Sequence, residues 1–175
     1  MTTVHGIEIR RAAERDATDV GVLTERVYRA GGWTSEHYAA VLRDGRTRIA
    51  QAVVFVATRD GAVVGSVALA PPGTPFVNVA GADEAEVRML AVAPDARGRG
   101  IANALMERCE QQARTAGLAG VVLSTEATMH AAHRLYRRRG YHRQPERDWA
   151  GTRTTYLVYR VDLAATGPGT NSGST

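Results

Sequence analysis

The 175-residue chain contains no lysine, only one cysteine and no long apolar stretch. The single cysteine, Cys109, excludes an internal disulfide and a zinc site built from several cysteines. No apolar run approaches the roughly 18 residues that a membrane span requires. The first residues, Met1 to Arg11, lack the apolar segment of a secretory signal. We therefore expect a cytoplasmic protein with no membrane partner.

The positive charge of the chain comes from arginine alone. A net charge of +4 is modest, and the arginines are scattered apart from the run Arg137–Arg139. Nucleic-acid binding requires basic residues clustered on one face, so a small phosphorylated molecule is the better acidic partner. His130 and His133 have a spacing that could hold a metal, but the sequence places no third ligand, so no metal is expected.

Hydrophobic periodicity predicts eleven elements in the order βααβββαβαββ. The predicted strands are 7–11, 53–58, 62–70, 85–92, 121–125, 141–147 and 152–161, and the predicted helices are 16–28, 36–42, 101–116 and 129–139. The alternation at Ile7–Arg11 suits a half-buried strand, Asp60-Gly61 is typical of a hairpin turn, and Asp16 and Ser35 are the expected caps of the first two helices. An antiparallel first half followed by a β-helix-β crossover predicts an α/β, or α+β, fold with one parallel strand pair. We expect one domain over residues 1–163 and a disordered Gly/Ser/Thr-rich tail over 164–175.

The most informative segment is a glycine-rich turn between a predicted strand and a predicted helix, Arg97-Gly98-Arg99-Gly100. The first N–H groups of a helix have no acceptor within the helix, and the helix dipole places about half a positive charge there. Such a helix start binds phosphate oxygens. Gly98 and Gly100 carry no Cβ to block a close approach, and the two arginines add charge that suits phosphate.

Two common phosphate-binding loops do not fit this turn. A Walker A loop requires lysine, and a dinucleotide fingerprint requires glycine at position 103, which is Asn103. The segment Arg97–Ala102 instead resembles the R-x-x-G-x-G/A signature of the GNAT family of N-acetyltransferases. Glu86–Pro94 is similar to the family's E-x-x-x-L-x-V-x-P strand, and His133–Tyr141 is similar to its x-x-L-Y-x-x-x-G-F/Y block. The resemblance therefore extends over nearly the whole domain.

The resemblance implies a fold and a cosubstrate. The fold is a mixed, mostly antiparallel twisted sheet flanked by helices, with a V-shaped opening between the fourth and fifth strands that holds acetyl-CoA. Backbone groups of Leu90–Val92 would contact the pantetheine arm, and the N–H groups of residues 97–103 would bind the pyrophosphate. The implied cofactor-binding residues are Leu90, Ala91, Val92, Arg97, Gly98, Arg99, Gly100, Ile101, Ala102, Asn103, Met129, Ala132, His133 and Tyr136. Met129 stands where the family often has a cofactor-binding asparagine.

Transfer of an acetyl group to an amine requires a base and an acid. A free alkyl amine is mostly protonated at pH 7, so a base must remove a proton before attack. The resemblance implies that Tyr136 protonates the departing thiolate and places Glu86 where several family members have a carboxylate base. Glu126, just after the following strand, and a water chain are the alternatives for the base. Cys109 lies on an apolar helix stripe and is expected to be a core residue, which favours direct transfer.

The acceptor side is the part that the sequence specifies least. In the family the first two helices and the last hairpin line it, which makes candidates of Tyr28, Trp33, Tyr38 and Glu126, together with Trp149 and Tyr156. We predict transfer of an acetyl group from acetyl-CoA to a primary amine of a small molecule or a protein. The alternatives are a catalytically weak acyl-CoA-binding or sensing domain and a basic nucleic-acid-binding protein. Because dimers are common in the family, a homodimer is a further expectation.

Overall fold

In the part of the chain that the structure describes, nine strands form one twisted sheet. The structure, a computed structural model, describes residues 2–4 and 6–163. The strands are β1 (Thr2–Val4), β2 (Ile7–Arg11), β3 (Val53–Arg59), β4 (Ala62–Ala70), β5 (Glu84–Val92), β6 (Gly120–Glu126), β7 (His142–Arg143), β8 (Trp149–Ala150) and β9 (Thr155–Asp162). The helices are α1 (Ala17–Ala30), α2 (Glu36–Arg43), α3 (Gly45–Gln51), α4 (Ile101–Thr115) and α5 (His130–Arg138).

The strand order confirms the predicted fold class. The order in the sheet is β1-β2-β3-β4-β5-β6-β9-β7, with β8 paired to β9. Neighbouring strands are antiparallel except β5 and β6, which are parallel and joined through α4. These two are the predicted fourth and fifth strands, because the short strand β1 precedes the strand at Ile7.

Strands β5 and β6 separate partway along their length. Their pairing begins at Glu84 opposite Gly120 and ends at Val87 opposite Leu123. Both strands continue, β5 to Val92 and β6 to Glu126, and β6 stays paired with β9 as far as Glu126. Strand β5 therefore diverges from β6 and leaves a V-shaped slot, as predicted.

A bulge in β5 lies at the point where the slot opens. Ser66 pairs with Ala91 and Ala68 with Arg88, so Met89 and Leu90 together stand opposite one residue of β4. Met89 has a φ of 55°, which is strained for a residue with a side chain. Bulges of this kind bend a strand and redirect its backbone groups. Here the bulge turns β5 away from β6.

Apolar residues cover both faces of the sheet. On β3, Phe55 packs into the core that holds Leu105 of α4, whereas Val54 and Val56 pack into the core that holds Leu42 of α2. This alternation follows from the two-residue period of a strand. Complete burial of a side chain such as Leu105 contributes about 1.5–3 kcal/mol, which fixes α4 against the sheet.

Three features differ from the sequence predictions. Helix α3 was not predicted because it has no apolar stripe; close packing of Gly45 on α1 holds it, since a Cβ there would lie 2.0 Å from the Ala17 carbonyl oxygen. The predicted strand 141–147 is reduced to β7, because Pro145 begins a 3-10 turn. Asp16 does not cap α1 with its side chain but binds Arg10. The predicted tail, 164–175, lies outside the described residues.

No helix within residues 2–4 and 6–163 is both long enough and apolar enough to span a membrane.

Candidate active site

The start of α4 presents unpaired backbone donors. Gly98 and Gly100 have φ values of 75° and 74°, which only glycine adopts at little cost. Helix α4 has no capping side chain and no acidic residue in its first turn. Within the described residues, the N–H groups of 98–103 have no protein acceptor, whereas Ala104 donates to the Gly100 carbonyl. A Cβ on either glycine would meet no atom within 4 Å, so a ligand can approach these donors closely.

Side chains around this turn hold it in place. Ile101 is buried and packs near Gly65 of β4. Arg97 Nε donates to the Val92 carbonyl at 3.3 Å. Asn103 Oδ1 accepts from Arg139, whose guanidinium also binds the buried Glu110 at 2.7 Å. Arg139 is thus engaged within the fold, whereas Arg137 and Arg138 of the same run are exposed.

A cavity of about 520 Å³ occupies the opening between β5 and β6. Eight of the predicted site residues line it, namely Tyr28, Trp33, Tyr38, Leu90, Glu126, Met129, Ala132 and Tyr136. Trp149 and Tyr156 line it as well. The tertiary structure thus brings together residues that are distant in sequence, from α1, α2, β5, β6, α5 and the last hairpin.

Tyr136 lies on α5 and contributes to the wall of the cavity. The residue is 5% exposed, and its ring packs against Tyr141 and Tyr159 at centroid distances of 5.9 and 6.0 Å. Burial raises the pKa of Tyr136 well above its ordinary value, and the neighbouring Tyr159 makes a smaller contribution in the same direction. The phenol therefore keeps its proton at neutral pH.

Glu126 ends β6 and is the carboxylate of the cavity wall among the described residues. It is 7% exposed, and the Tyr156 hydroxyl donates to its Oε1 at 3.4 Å. The Glu126 carbonyl accepts from His133 Nε2 and from the Met129 N–H, both at 3.0 Å. These bonds fix the backbone that carries the carboxylate.

Glu86 occupies a different environment from the one expected of a base. Its carboxylate is buried, and Oε2 accepts from the N–H groups of Asn78, Val79 and Ala80 at 2.7, 2.8 and 3.2 Å. Glu86 does not line the cavity. Three backbone donors share one oxygen of this carboxylate, and the group lies outside the cavity wall, so its position suits anchoring of the 78–80 loop better than proton transfer.

His133 of α5 and Met129, which precedes α5, are both implied cofactor contacts, but they lie in different surroundings. His133 does not line the cavity; its ring lies 5.7 Å from that of Tyr159, and burial lowers the pKa of His133, so the imidazole is neutral. Met129 does line the cavity, and its sulfur accepts from the Thr125 hydroxyl at 3.5 Å. A thioether thus faces the space where the family often has an amide.

Aromatic side chains form the outer part of the cavity. The rings of Trp149 and Tyr156 stack at a centroid distance of 4.0 Å with an interplanar angle of 9°. Tyr28 and Trp33 meet edge to face at 6.2 Å. Burial raises the pKa of Tyr28 well above its ordinary value, so this phenol is neutral. This aromatic part of the wall is therefore uncharged at neutral pH.

Several polar residues of the cavity wall carry no signal in the sequence predictions, among them Asn78, Arg88, Ser124 and Arg153. Arg88 alternates with Glu86 and Leu90 along β5, and this spacing could have identified it. Asn78 and Arg153 lie in loops without a recognisable motif. Only the folded chain shows where such loops meet.

The comparison with family models identifies the chain. The model described as the acetyltransferase (GNAT) family matches residues 15–141. The chain belongs to the GNAT acetyltransferase family. The match includes the turn at Arg97–Gly100, the bulged strand β5 and Tyr136, and it confirms the family prediction.

Known GNAT proteins resemble the chain in sequence and fold. An IAA acetyltransferase of Azospirillum brasilense is 38% identical over 87 residues, which cover 50% of this chain and 52% of that protein. The chain thus matches about half the length of this curated relative. The PaiA N-acetyltransferase of Thermoplasma acidophilum, solved with coenzyme A, superposes with a TM-score of 0.71 at 15% identity, covering 90% of this chain and 99% of that one. The structure of yncA from Salmonella typhimurium, solved with acetyl-CoA, superposes with a TM-score of 0.67 at 19% identity. The match covers 94% of this chain and 98% of that one.

Proposed function

We propose that this GNAT protein transfers an acetyl group from acetyl-CoA to a primary amine, by direct attack while both substrates are bound. The observation that carries the proposal is the open start of α4 beside the slot between β5 and β6. The site therefore combines a row of free donors after the end of β5 with the slot between β5 and β6. The solved neighbours that hold coenzyme A or acetyl-CoA share this fold, which supports the choice of cosubstrate.

The residues present fit a diphosphate and an extended arm. The N–H groups of 98–103 lack acceptors within the described residues, and the helix dipole adds positive charge at the same place. Arg97 and Arg99 bring guanidinium groups that suit phosphate oxygens. Beyond Val87, the edge of β5 that faces the slot has no strand partner. We propose that Leu90–Val92 bind the pantetheine arm along this edge.

The proposed chemistry uses two groups of the cavity wall. When bound, acetyl-CoA supplies a thioester carbonyl carbon that accepts the amine nitrogen as its carbon–sulfur bond breaks. Glu126 takes the proton that the amine must lose, directly or through one water. Its position in the cavity wall and its bond to Tyr156 support this role over Glu86. Glu86 acts as a positioning residue that holds the loop carrying Asn78.

Tyr136 supplies the proton that the leaving sulfur requires. Its raised pKa keeps the phenol protonated, and its place in the cavity wall gives it access to the reacting atoms. Cys109, by contrast, is fully buried in α4, and burial raises the pKa of its thiol. A buried neutral thiol cannot carry the acetyl group, which supports direct transfer.

Thermal unfolding with and without acetyl-CoA tests the cosubstrate. Ligand at 100 times its dissociation constant should stabilise the protein by about 2.7 kcal/mol, which corresponds to a rise in Tm of roughly 5–10 °C for a chain of this size. No shift at millimolar acetyl-CoA contradicts the proposal. Release of thiol in a panel of amines then tests transfer. A shift without turnover favours the acyl-CoA-binding or sensing domain instead.

We also propose that the protein acts in the cytoplasm and pairs into a homodimer. The family resemblance supports the homodimer, and the lack of a long apolar helix among the described residues is consistent with the location. Light scattering at micromolar concentration measures the mass of the particle. A mass of one chain, 18.8 kDa, contradicts the dimer.

A further inference from the structure

Resting on the proposed function, we infer that the acceptor is a small amine that also carries a carboxylate and an apolar or aromatic body. An amino acid has this chemistry. The inference excludes polycations, such as polyamines and basic peptides, as preferred acceptors. It follows from which charges line the cavity and which do not.

The charges of the cavity wall are mostly positive. Two guanidinium groups, those of Arg88 and Arg153, line the cavity together with one carboxylate, that of Glu126. If Glu126 serves the reacting amine, no carboxylate of the described wall remains for a second ammonium group. A polyamine would place its extra charges beside the arginines, where like charges repel. A carboxylate in the same place would instead be attracted.

Each arginine has donors left to bind such a carboxylate. Arg88 Nη1 donates to the Phe76 carbonyl at 2.8 Å, and Arg153 Nη2 donates to the Gly32 carbonyl at 2.6 Å. A guanidinium has five N–H donors, so most of them remain available. Arg88 is also held by the Glu86 carboxylate, whose Oε1 lies 4.0 Å from its Nε, and by the Phe76 ring. Both guanidinium groups are thus held in place, and their remaining N–H donors can still pair with a carboxylate through two parallel bonds.

A third arginine adds positive charge behind the wall. Arg48 is 1% exposed and binds the Thr24 hydroxyl and the Leu42 carbonyl, and its Nε has no partner among the described residues. Burial lowers the pKa of Arg48, and the charge of Arg88 acts in the same direction. The two arginines therefore repel each other, and an anion bound at Arg88 would reduce that repulsion.

The rest of the wall fits the apolar part of the acceptor. Its aromatic members are Tyr28, Trp33, Tyr38, Trp149 and Tyr156. The stacked pair of Trp149 and Tyr156 lies beside Glu126 through the Tyr156 hydroxyl. An aromatic or aliphatic body can pack against these rings. The site thus offers one base, two arginines that can bind a carboxylate, and an apolar wall.

Matched amines test this assignment in the full-length protein with acetyl-CoA. L-Phenylalanine and phenethylamine differ only in the carboxylate, and spermidine represents a polycation. We expect kcat/KM for L-phenylalanine to exceed that for phenethylamine by at least about tenfold, because a charge-assisted hydrogen bond contributes that much or more. Equal turnover of the two, or faster turnover of spermidine, overturns the inference while leaving acetyl transfer intact.

A variant links the preference to Arg88. Arg88→Gln keeps a donor for the Phe76 carbonyl but removes the charge, and it should lower the ratio of the two kcat/KM values to about one. Arg114→Gln, on the exposed end of α4, is the matched control and should keep the ratio. If Arg88→Gln does not fold, Arg153→Gln is measured in its place and should reduce the ratio severalfold. An unchanged ratio in the folded variant contradicts the inference.

Calorimetry separates failure of this inference from failure of the proposed transfer. L-Phenylalanine and phenethylamine are titrated into the protein in the presence of coenzyme A, which carries no acetyl group. Tighter binding of L-phenylalanine without turnover of any amine supports the carboxylate site and contradicts the transferase. Absence of L-phenylalanine binding at 10 mM, together with absence of turnover, overturns the inference.

Discussion

Replacement of Gly100 by alanine tests the start of α4 as the binding site for the diphosphate. Gly100 has a φ of 74°, and a Cβ at this position would meet no protein atom within 4 Å. The alanine side chain therefore causes no internal clash. Its methyl group extends instead into the open space in front of the unpaired N–H groups, where the phosphate oxygens must approach.

The two effects of Gly100→Ala have separate magnitudes. In the folded protein, the left-handed conformation costs alanine about 1–2 kcal/mol. Alanine also has fewer conformations than glycine in the unfolded chain, and this difference offsets about 0.4–1 kcal/mol of the cost. The free energy of unfolding should therefore fall by about 1 kcal/mol, or roughly 2–4 °C in Tm. Loss of one charge-assisted hydrogen bond, about 1.5–3 kcal/mol, should weaken acetyl-CoA binding about 10- to 100-fold.

Gly117→Ala is the matched control at the other end of α4. Gly117 has a φ of 71°, and a Cβ there would likewise meet nothing within 4 Å. Both variants should lose similar stability in the absence of ligand. Calorimetry should then show weaker acetyl-CoA binding in Gly100→Ala only. Equal dissociation constants in the two variants would refute the assignment of the diphosphate site.

Four further predictions concern the proposed reacting groups, the anchor of the 78–80 loop and an ion pair. Tyr136→Phe should lower kcat at least about tenfold and leave the acetyl-CoA dissociation constant within about twofold, because only the proton donor is lost; unchanged turnover removes Tyr136 from the mechanism. Glu126→Gln should lower kcat about 100-fold, because the amine loses the group that accepts its proton. Glu86→Gln should instead lower stability by about 1–3 kcal/mol, because the N–H groups of the 78–80 loop lose a charged acceptor, and should keep kcat within about threefold; the opposite pattern reassigns the base to Glu86. Burial acts to raise the pKa of Glu84, but Arg147, the Gly81 N–H and Arg160 outweigh it and lower the pKa to about 2. A carboxylate whose pKa is lowered by folding stabilises the folded state at pH values above its unfolded pKa of about 4.3. Glu84→Gln should therefore destabilise the protein at pH 7 by roughly 1–2 kcal/mol after screening and much less at pH 2–3. Chemical denaturation at the two pH values measures the difference.

The sequence pattern predicted most of the fold because local periodicity and turn residues carry that information. The alternation at Ile7–Arg11, the Asp60-Gly61 turn and the Ser35 cap all appear in the structure; the Ser35 hydroxyl accepts from the Tyr38 N–H at 3.2 Å. Helix α3 has no such pattern. It is held instead by the close packing of Gly45 on α1, which is a contact between separate segments. Contacts between distant segments leave no periodic trace in the chain.

The sequence by itself determined the GNAT family, the glycine turn at the start of α4 and the presence of a tyrosine at position 136. The tertiary structure decided which carboxylate faces the cavity, because Glu86 and Glu126 differ only in what packs around them. It also decided the charge of the acceptor side. Arg88 and Arg153 lie 65 positions apart in the chain, and only the meeting of β5 with the loop before β9 places both in one wall. The physical reason is that a sequence motif reflects local backbone geometry. Burial and charge at a site instead depend on all the segments that the fold brings together.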